Sequence, residues 1–427
     1  MKQSVKDAVQ WPHPISEERR TMKLATFQSY IVKNPPPGFG GRYFIFVTLT
    51  TSCGITGTGE IYAASFAPEV VTAMASDIFQ RYLEGQNPFQ IEQFCRRTHG
   101  SGFSHRPDPS LQGVVSGLEM ACWDIIGKAL DRPVYDLLGG QVHDRLRSYT
   151  YLYPRDDQDA GQFYNDPVAS AEVALSYVKQ GFTAVKFDPA GQYTVFDGRM
   201  PDLPALDRSA AFCATIREAV GDQADLLFGT HGQFTAAGAI RLAERLAPYD
   251  PLWFEEPTPP DMPEEMAKVA ARSPVPIATG ERLCTKYEFA RVLRCGAAAI
   301  LQPNLGRAGG ILEAKKIAAI AETYYAQIAP HLYCGPIVAA ANIQLATATP
   351  NFLILESIQK MDGFHARLLE TSLCWEDGYI IPPTAPGLGV SLNMDVVNSS
   401  LWDGDQLHLE MGQNPHDPVR DGDFAGG

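Results

Sequence analysis

Acidic, basic and amide residues that could carry out acid–base or metal chemistry follow a series of short apolar runs in the second half of the chain. They are Lys186 and Asp188, Thr230 and His231, Glu255 and Glu256, Glu281 and Arg282, Gln302 and Asn304, His331, and Glu356. If the runs are neighbouring strands, carboxylates at their ends repel one another unless a cation lies among them. Oxygen ligands of high negative charge suit a hard divalent ion such as Mg²⁺. A single acid could be a surface charge or a helix cap, but acids on consecutive strands favour a metal-assisted site.

Eight apolar runs after residue 140 are the candidate strands. They occupy residues 147–154, 183–189, 224–232, 251–257, 276–282, 298–304, 326–332 and 351–357. The segments between them, such as residues 166–181, have the apolar spacing of helices. Eight alternations of strand and helix predict a (β/α)8 barrel, whose active site lies at the carboxyl ends of the strands. An open doubly wound sheet is the weaker alternative, because no Gly-rich phosphate turn follows any run.

The barrel gives the chain the fold class α/β. The rest of the chain predicts an additional α+β domain that caps the barrel. Residues 1–22 form a polar tail, and residues 23–140 contain strand-like segments followed by three helical stretches. The barrel occupies residues 141–365. Residues 366–427 form a C-terminal segment that returns to the capping domain.

The composition describes a large acidic enzyme. The chain has 427 residues, is 45% hydrophobic and carries a net charge of −14, which argues against nucleic acid and anionic membranes as partners. No apolar signal core or membrane span is present in the sequence, so we expect a cytoplasmic protein. The eight cysteines include no CxxC pair and are expected to be reduced thiols.

Several ordered motifs resemble one known family. They are FEEP (254–257), TGER (279–282), QPNLGRAGG (302–310), APHLYCGP (329–336) and MACWDIIGKALDRPVYDLLGG (120–140). Together they resemble the mandelate racemase and muconate lactonising enzyme group of the enolase superfamily, over roughly residues 23–400. The resemblance implies a capped modified TIM barrel, a bound Mg²⁺ or Mn²⁺, a small-molecule substrate and a homo-oligomer.

The resemblance also implies a metal site, and this chain departs from it at one position. Glu255 and Glu281 match the ligands that end the fourth and fifth strands, and they are 26 residues apart. Another 26 residues before Glu255 stands Gly229, where the family has an acid. Asp188, His231 or water could complete the ligand set, and we expect Asp188 or water because Mg²⁺ prefers oxygen. Weak or absent metal binding is the remaining alternative.

The acid–base residues match the family with two departures. His331 matches the base that ends the seventh strand, but Asn304 replaces the Asp that orients it in relatives. An amide cannot stabilise an imidazolium as a carboxylate does, which favours a neutral base or a hydrogen-bonding role. Lys186 matches the first Lys of the family's Lys-x-Lys, and Asp188 replaces the second, which argues against simple racemisation.

The remaining predicted site residues concern the leaving group and the substrate. His231 matches the general acid of sugar-acid dehydratases, and Glu356 matches an acid that binds the substrate carboxylate or enediolate. Arg282 ends the fifth strand, and Arg42 and His105 lie in the expected capping loops, so each could bind substrate. Solvated loop charges are an equal alternative for the loop residues.

The reaction that these groups suit is β-elimination: removal of a proton at C2 of a sugar acid, followed by loss of oxygen from C3. Segments such as KFDPAGQYT (186–194) and YAQIAPHLYCGP (325–336) resemble the family's cycloisomerases, which open 3,6-anhydro-L-galactonate to 2-keto-3-deoxy-L-galactonate. Ring opening is therefore the first expectation. Dehydration of an aldonic or aldaric acid is the alternative, and an inactive ligand-binding paralogue is a third possibility.

Overall fold

A computed structural model describes residues 21–63, 65–188, 190–191 and 193–417. Residues 1–20 of the predicted tail and residues 418–427 lie outside the described part. The described residues form a capping domain, a barrel and a C-terminal segment that contacts both.

The capping domain is built on an antiparallel sheet in the order β1–β2–β3. Its strands are β1 (Leu24–Lys33), β2 (Tyr43–Thr51) and β3 (Thr56–Ile61), and its helices are Pro68–Tyr82, Ile91–Ser101, Pro109–Leu130 and the short Val134–Leu137. The long third helix begins where the Asp108 side chain accepts hydrogen bonds from two backbone N–H groups. It approaches β3 closely because Gly59 has no Cβ. A Cβ at that position would overlap the helix backbone.

The barrel contains eight parallel strands, as the eight apolar runs predict. They are β4 (Leu146–Tyr151), β5 (Ala184–Phe187), β6 (Asp225–Gly229), β7 (Trp253–Glu255), β8 (Ile277–Thr279), β9 (Ile300–Leu301), β10 (Gln327–Ile328) and β11 (Leu355–Ser357). Each strand pairs with the next from β4 to β10, and β11 pairs with β4. Between β10 and β11 the connection is an isolated parallel bridge from Ile328 to Phe352.

Helices follow the barrel strands and cover the outside of the sheet. They are Ala160–Phe163, Pro167–Lys179, Leu203–Val220, Ala236–Leu246, Pro263–Ala270, Thr285–Cys295, Gly310–Glu322, Pro336–Thr347 and Gly363–Arg367, with a 3₁₀ turn at Ala247–Tyr249. Two of them begin with an Asp cap and have proline in the first two helical positions, namely Pro167 after Asp166 and Pro204 after Asp202. Capping oxygens and the fixed φ of proline both favour a helix start at these points.

A layer of apolar side chains fills the inside of the barrel. It contains Tyr149, Ala184, Leu227, Trp253, Ala278, Ile300, Ala329 and Ile354, one from each strand or from its immediate neighbour in the chain. Because alternate strand residues face the same side, residues two positions further on face inward in the next layer, nearer the carboxyl ends. The apolar layer therefore forms the floor of whatever site lies above it.

Two buried glutamates of the capping domain accept hydrogen bonds from the starts of barrel helices. Glu60 accepts from the backbone N–H groups of Gly335, Ile337 and Val338, at the start of helix Pro336–Thr347. Glu119 accepts from the N–H groups at the start of helix Gly310–Glu322. A carboxylate at a helix N-terminus satisfies free N–H donors and offsets the positive end of the helix dipole. These contacts therefore fix the cap over the barrel mouth.

The C-terminal segment contacts the barrel first and the capping domain afterwards. Its strands β12 (Cys374–Glu376) and β13 (Tyr379–Ile381) form a hairpin, and β13 pairs with the start of β4. Helix Met394–Ser399 follows, and Leu401 then bridges to Val32 of the capping sheet. Among the described residues, none of the helices combines the length and the hydrophobicity that crossing a membrane would require.

Candidate active site

The inward-facing layer above the apolar floor carries most of the predicted site residues. Its members are Tyr151, Lys186, Gly229, Glu255, Gly280, Gln302, His331 and Glu356. Strand periodicity thus brings together side chains that are up to 205 positions apart in the chain, from Tyr151 to Glu356. Glu281 follows Gly280, whose positive φ of 141° turns the chain so that the carboxylate also faces this layer.

Lys186 lies at the centre of the layer and is almost fully buried. Its Nζ lies 2.6 Å from Oε1 of Glu255, 3.6 Å from Glu356 and 4.0 Å from Glu281. Burial by itself would lower the pKa of Lys186, but the charges of Glu255 and Glu356 raise it well above its usual value. The side chain is therefore an ammonium ion that can stabilise negative charge, and it is not available as a base.

Glu255 and Glu281 are the two glutamates that we predicted as metal ligands. Both oxygens of Glu255 are engaged, one by Lys186 and the other by the indole of Trp253 at 3.0 Å and the amide of Gln302 at 2.8 Å. Oε2 of Glu281, in contrast, is buried without a hydrogen-bond partner. Burial would raise the pKa of Glu281, yet the surrounding cationic groups hold it well below its usual value.

These observations test whether the residues fit a divalent ion. Three buried carboxylates, Glu255, Glu281 and Glu356, face one permanent cation, Lys186, so the cluster has an excess of negative charge. An orphaned carboxylate oxygen within such a cluster suits a hard cation. Among the described residues no three potential ligands converge on one point. The residues fit an ion held by two carboxylates and otherwise by water or substrate, which is a common arrangement for Mg²⁺.

Asp188, the residue that we predicted as a replacement ligand, is engaged elsewhere. Its Oδ2 lies 2.5 Å from Nδ1 of His231, and its Oδ1 accepts from the N–H of Ala190 at 3.4 Å. The side chain therefore serves His231, and we do not assign it to the metal. Position 229 also supplies no ligand, because glycine has no side chain. A Cβ added there would lie 3.5 Å from the Lys186 side chain.

The Asp188–His231 pair is a charge-assisted dyad near the open side of the site. The His231 side chain is 23% exposed, whereas the other charged members of the site are at most 10% exposed. Burial would lower the pKa of His231, but the hydrogen bond that it donates to Asp188 and the charge of Glu281 raise it to about 9. The ring of Tyr193 lies 4.8 Å from the imidazole and covers one face of it. His231 is thus held in a fixed orientation and can exchange a proton with a substrate.

His331 differs from His231 because its partner is an amide. Oδ1 of Asn304 accepts a hydrogen bond from the backbone N–H of Gly306 at 2.9 Å, so its Nδ2 faces Nδ1 of His331, also at 2.9 Å. An amide N–H donor requires a lone pair on that ring nitrogen. Burial lowers the pKa of His331 to about 4, so the ring is neutral and its proton is on Nε2. Nε2 can therefore donate a hydrogen bond but has no lone pair with which to accept a proton.

This tautomer changes the predicted role of His331. We predicted a base or a hydrogen-bonding residue, and the contacts of Asn304 support the second role. Nε2 of His331 lies 3.5 Å from Glu281 and 3.8 Å from Glu356. Glu356 itself accepts from the N–H of Leu332 at 2.8 Å, and burial raises its pKa. The predicted strand-eight acid thus lies within reach of both Lys186 and His331.

Three of the predicted substrate-binding residues, Arg282, Arg42 and His105, lie in different surroundings. Arg282 pairs with Glu256 at 2.8 Å beside the site, so its charge is already offset. Arg42 forms a hydrogen bond with the carbonyl of Leu407 and an ion pair with Glu410, both in the C-terminal segment. His105 is exposed on the capping domain and packs against His99. Arg42 is thus engaged by the C-terminal segment and His105 by His99, and their contact with substrate stays a prediction.

The sequence did not indicate the aromatic residues that surround the charged groups, and it placed Gln302 at a strand end without assigning it a partner. Trp253 and Gln302 hold Glu255, Tyr193 covers His231, and the ring of Tyr62 lies 6.4 Å from that of His331. The alternation of inward-facing residues also indicates that Gln302 shares a layer with Glu255, to which it donates. Tyr62 and Tyr193 lie outside the barrel strands, in segments where no periodic pattern indicates which way a side chain faces.

Both the sequence and the fold of the chain are similar to those of known proteins. Residues 39–139 match the mandelate racemase / muconate lactonizing enzyme N-terminal domain, and residues 169–396 match the enolase C-terminal domain-like family. The chain is 34% identical to a D-xylonate dehydratase of Haloferax volcanii, over 87% of this chain and 88% of the relative. It is 36% identical to a D-galactonate dehydratase of Ralstonia pickettii, over 83% of this chain and 90% of the relative.

Solved structures agree with these relatives. A mandelate racemase/muconate lactonizing enzyme structure from Labrenzia alexandrii superposes with a TM-score of 0.90 at 62% identity, covering 93% of this chain and 100% of that one. A second, from Jannaschia sp. CCS1, superposes with a TM-score of 0.89 at 53% identity, covering 91% of this chain and 100% of that one.

A capped barrel with a lysine, two histidines and several carboxylates at its strand ends defines an enzyme that abstracts protons next to a carboxylate. The chain belongs to the mandelate racemase / muconate lactonizing enzyme family of the enolase superfamily.

Proposed function

We propose that the protein is a sugar-acid dehydratase that converts an aldonate to a 2-keto-3-deoxy acid. The observation that carries the proposal is the Asp188–His231 dyad, which can take and return a proton at the open side of the site. The dehydratase names of the relatives support this reaction over ring opening. Ring opening of 3,6-anhydro-L-galactonate needs the same groups and remains the second candidate.

The first step is removal of the C2 proton. That proton is very weakly acidic, so charge that develops on the carboxylate oxygens must be stabilised as the bond breaks. The ammonium of Lys186 and the Nε2–H of His331 are the donors for that charge, and Glu356 orients both of them. In the neutral form of His231, the N–H at Nδ1 donates to Asp188, which leaves the lone pair of Nε2 free to accept the proton.

The second step is loss of the C3 hydroxyl. The imidazolium of His231, stabilised by Asp188, returns its proton to the leaving oxygen, so that the C3–O bond breaks and water departs. The remaining enol rearranges to the 2-keto-3-deoxy acid. One group thus serves as base and then as acid, which fits a site whose second histidine is fixed as a hydrogen-bond donor.

A divalent ion, Mg²⁺ or Mn²⁺, would be held by Glu255 and Glu281. Enolase-superfamily sites use such an ion with a lysine or histidine. When bound, it supplies a Lewis acid that polarises the substrate carboxylate. Removal of the ion with EDTA should abolish turnover, and added Mg²⁺ should restore it.

Mass spectrometry of the product tests the proposal directly. Incubation with D-galactonate or D-xylonate should give a product lighter than the substrate by one water. Incubation with 3,6-anhydro-L-galactonate would give a product of unchanged mass if the ring-opening reaction occurs instead. Turnover of the anhydro acid alone would overturn the dehydratase proposal.

A further inference from the structure

The end of the described chain crosses the mouth of the barrel. Residues 401–417, here named the C-terminal strap, lie beyond the family match, which ends at residue 396. At one end, the N–H of Trp402 donates to the carbonyl of Ile31 in the capping sheet, at 2.9 Å. At the other, the N–H of Val195 donates to the carbonyl of Gly412, also at 2.9 Å. The strap therefore joins the capping domain to the barrel loop that carries Tyr193.

The strap places one histidine inside the protein. His408 is 5% exposed, and its ring lies 5.1 Å from that of Tyr62 and 5.9 Å from that of Tyr333. Space for the ring exists because Gly41, at a φ of 109°, lacks a Cβ that would overlap the imidazole. Tyr62 contacts both His408 and His331, so His408 lies one aromatic ring beyond the proposed donor for substrate charge.

The hydrogen bonding of His408 is incomplete. Burial and nearby arginines lower the pKa of His408 to about 3. A hydrogen bond with the backbone of Gly40 acts in the opposite direction. Because Nδ1 has no partner in the described part of the chain, Nε2 is the ring nitrogen that meets the Gly40 backbone. A carbonyl can only accept, so Nε2 carries the proton and Nδ1 has a lone pair. Nδ1 is buried and has no partner among the described residues. A buried acceptor of this kind destabilises the protein unless a ligand or water donates to it.

We propose that the strap determines substrate specificity, and that Nδ1 of His408 accepts a hydrogen bond from a hydroxyl at C5 or C6 of the sugar acid. The inference rests on the proposed function for the nature of the ligand. On the proposed function, the carboxylate end of the substrate binds at Lys186 and His331, and the ring of Tyr62 lies beside both His331 and His408. A polyol chain that begins at His331 and runs along the Tyr62 ring would bring its far hydroxyls to His408.

Two substitutions separate the acceptor from the packing of the ring. His408→Gln retains an N–H near the position of Nε2 but has no acceptor near Nδ1. His408→Asn retains an oxygen near Nδ1 and loses the contact with Gly40. Asp403→Asn is the control, because it removes an exposed strap ion pair with Lys33 at 3.0 Å and leaves the site untouched. Each variant is assayed with D-galactonate and with its 5-deoxy and 6-deoxy forms.

Wild type should prefer D-galactonate to one deoxy form by about tenfold or more in kcat/KM, as expected for one lost hydrogen bond. His408→Gln should lower kcat/KM for D-galactonate by about ten- to a hundredfold, mainly through KM, and should lower it far less for that deoxy form. His408→Asn should retain the preference, and Asp403→Asn should retain both the preference and the rate.

Equal losses on all three acids would reduce His408 to a packing role and overturn the inference, while the proposed function would stand. If wild type turns over none of them, dehydration of D-galactonate fails, and dissociation constants from calorimetry replace the rates. A weaker constant in His408→Gln for D-galactonate alone would still support the strap inference. Absence of any binding by wild type would refute both proposals.

Discussion

Replacement of Asp188 by asparagine tests the centre of the proposed mechanism. The pKa of His231 is about 9, against an ordinary value of 6.5. Burial acts to lower this pKa, and Asp188 is a main cause of the rise, so Asp188→Asn should bring it to 6.5 or below. Because one pKa unit corresponds to about 1.4 kcal/mol, the imidazolium loses about 3 kcal/mol of stabilisation.

The substitution should also change the tautomer of His231. Oδ1 of Asp188 accepts from the N–H of Ala190, so an asparagine there would direct its oxygen to Ala190 and its amide N–H to Nδ1 of His231. Asn304 already does this to His331. Nε2 of His231 would then carry the proton and could not accept another. We expect kcat to fall by about 10²–10⁴, the range of general acid–base contributions.

The assay combines kinetics with titration. Dehydration of D-galactonate gives kcat, and NMR of histidine-labelled protein gives the pKa and tautomer of His231. Asp225→Asn is a matched control. Asp225 forms an ion pair with Arg147, at a distance of 2.7 Å, at the end of the barrel opposite to the site. A variant at Asp188 with wild-type kcat, or with a His231 pKa still near 9, would refute the reasoning.

The same pair predicts how stability depends on pH. A raised pKa means that the folded state binds the proton more tightly than the unfolded state. The stabilisation from His231 is therefore complete below pH 6.5 and disappears as pH rises through about 9. The difference in free energy of unfolding between wild type and Asp188→Asn should be about 3 kcal/mol at pH 6 and should be much smaller above pH 9.

Further predictions concern the donor, the metal and the domain contact. His331→Leu should lower kcat by about 10²–10³, as loss of a charge-stabilising donor does, and His331→Gln should recover much of it by supplying an N–H; equal loss in both variants would instead indicate a base. Gly229→Asp supplies the carboxylate that the family resemblance leads us to expect, and the fold should accept it because the nearest atom to a Cβ there is 3.5 Å away. Calorimetry should then show tighter Mg²⁺ binding. Unchanged affinity would show that the ion does not lie near position 229. Glu60→Gln leaves one oxygen for three N–H donors, so urea unfolding should show a loss of about 1–3 kcal/mol, and an unchanged midpoint would remove Glu60 from the domain contact.

The barrel and much of the site could be predicted from sequence because both follow from local periodicity. Each apolar run supplies a strand, and strand alternation places Glu255, His331 and Glu356 inward at the carboxyl ends. Those residues were identified from their position in the runs alone, and the structure brings them into one layer with Lys186.

Partner choice within the site could not be predicted, because it depends on neighbouring strands and on loops that have no period. Asp188 lies 43 residues from His231 in the chain, and nothing in its own strand indicates whether it faces a metal or the next strand. His105 shows the same limit, since its position in a loop suggested the site and its side chain is exposed.

The sequence alone therefore determined the capped barrel, the layer of inward-facing acids, the family and the unusual Gly229 and Asn304. Only the tertiary structure decided which histidine can exchange a proton and which is fixed as a donor. The physical reason is that a tautomer depends on one hydrogen bond at about 2.9 Å, which is set by the packing of two strands and the Gly306 backbone. The position of His408 has the same origin, because a strap without periodicity is placed only by the surfaces that it crosses.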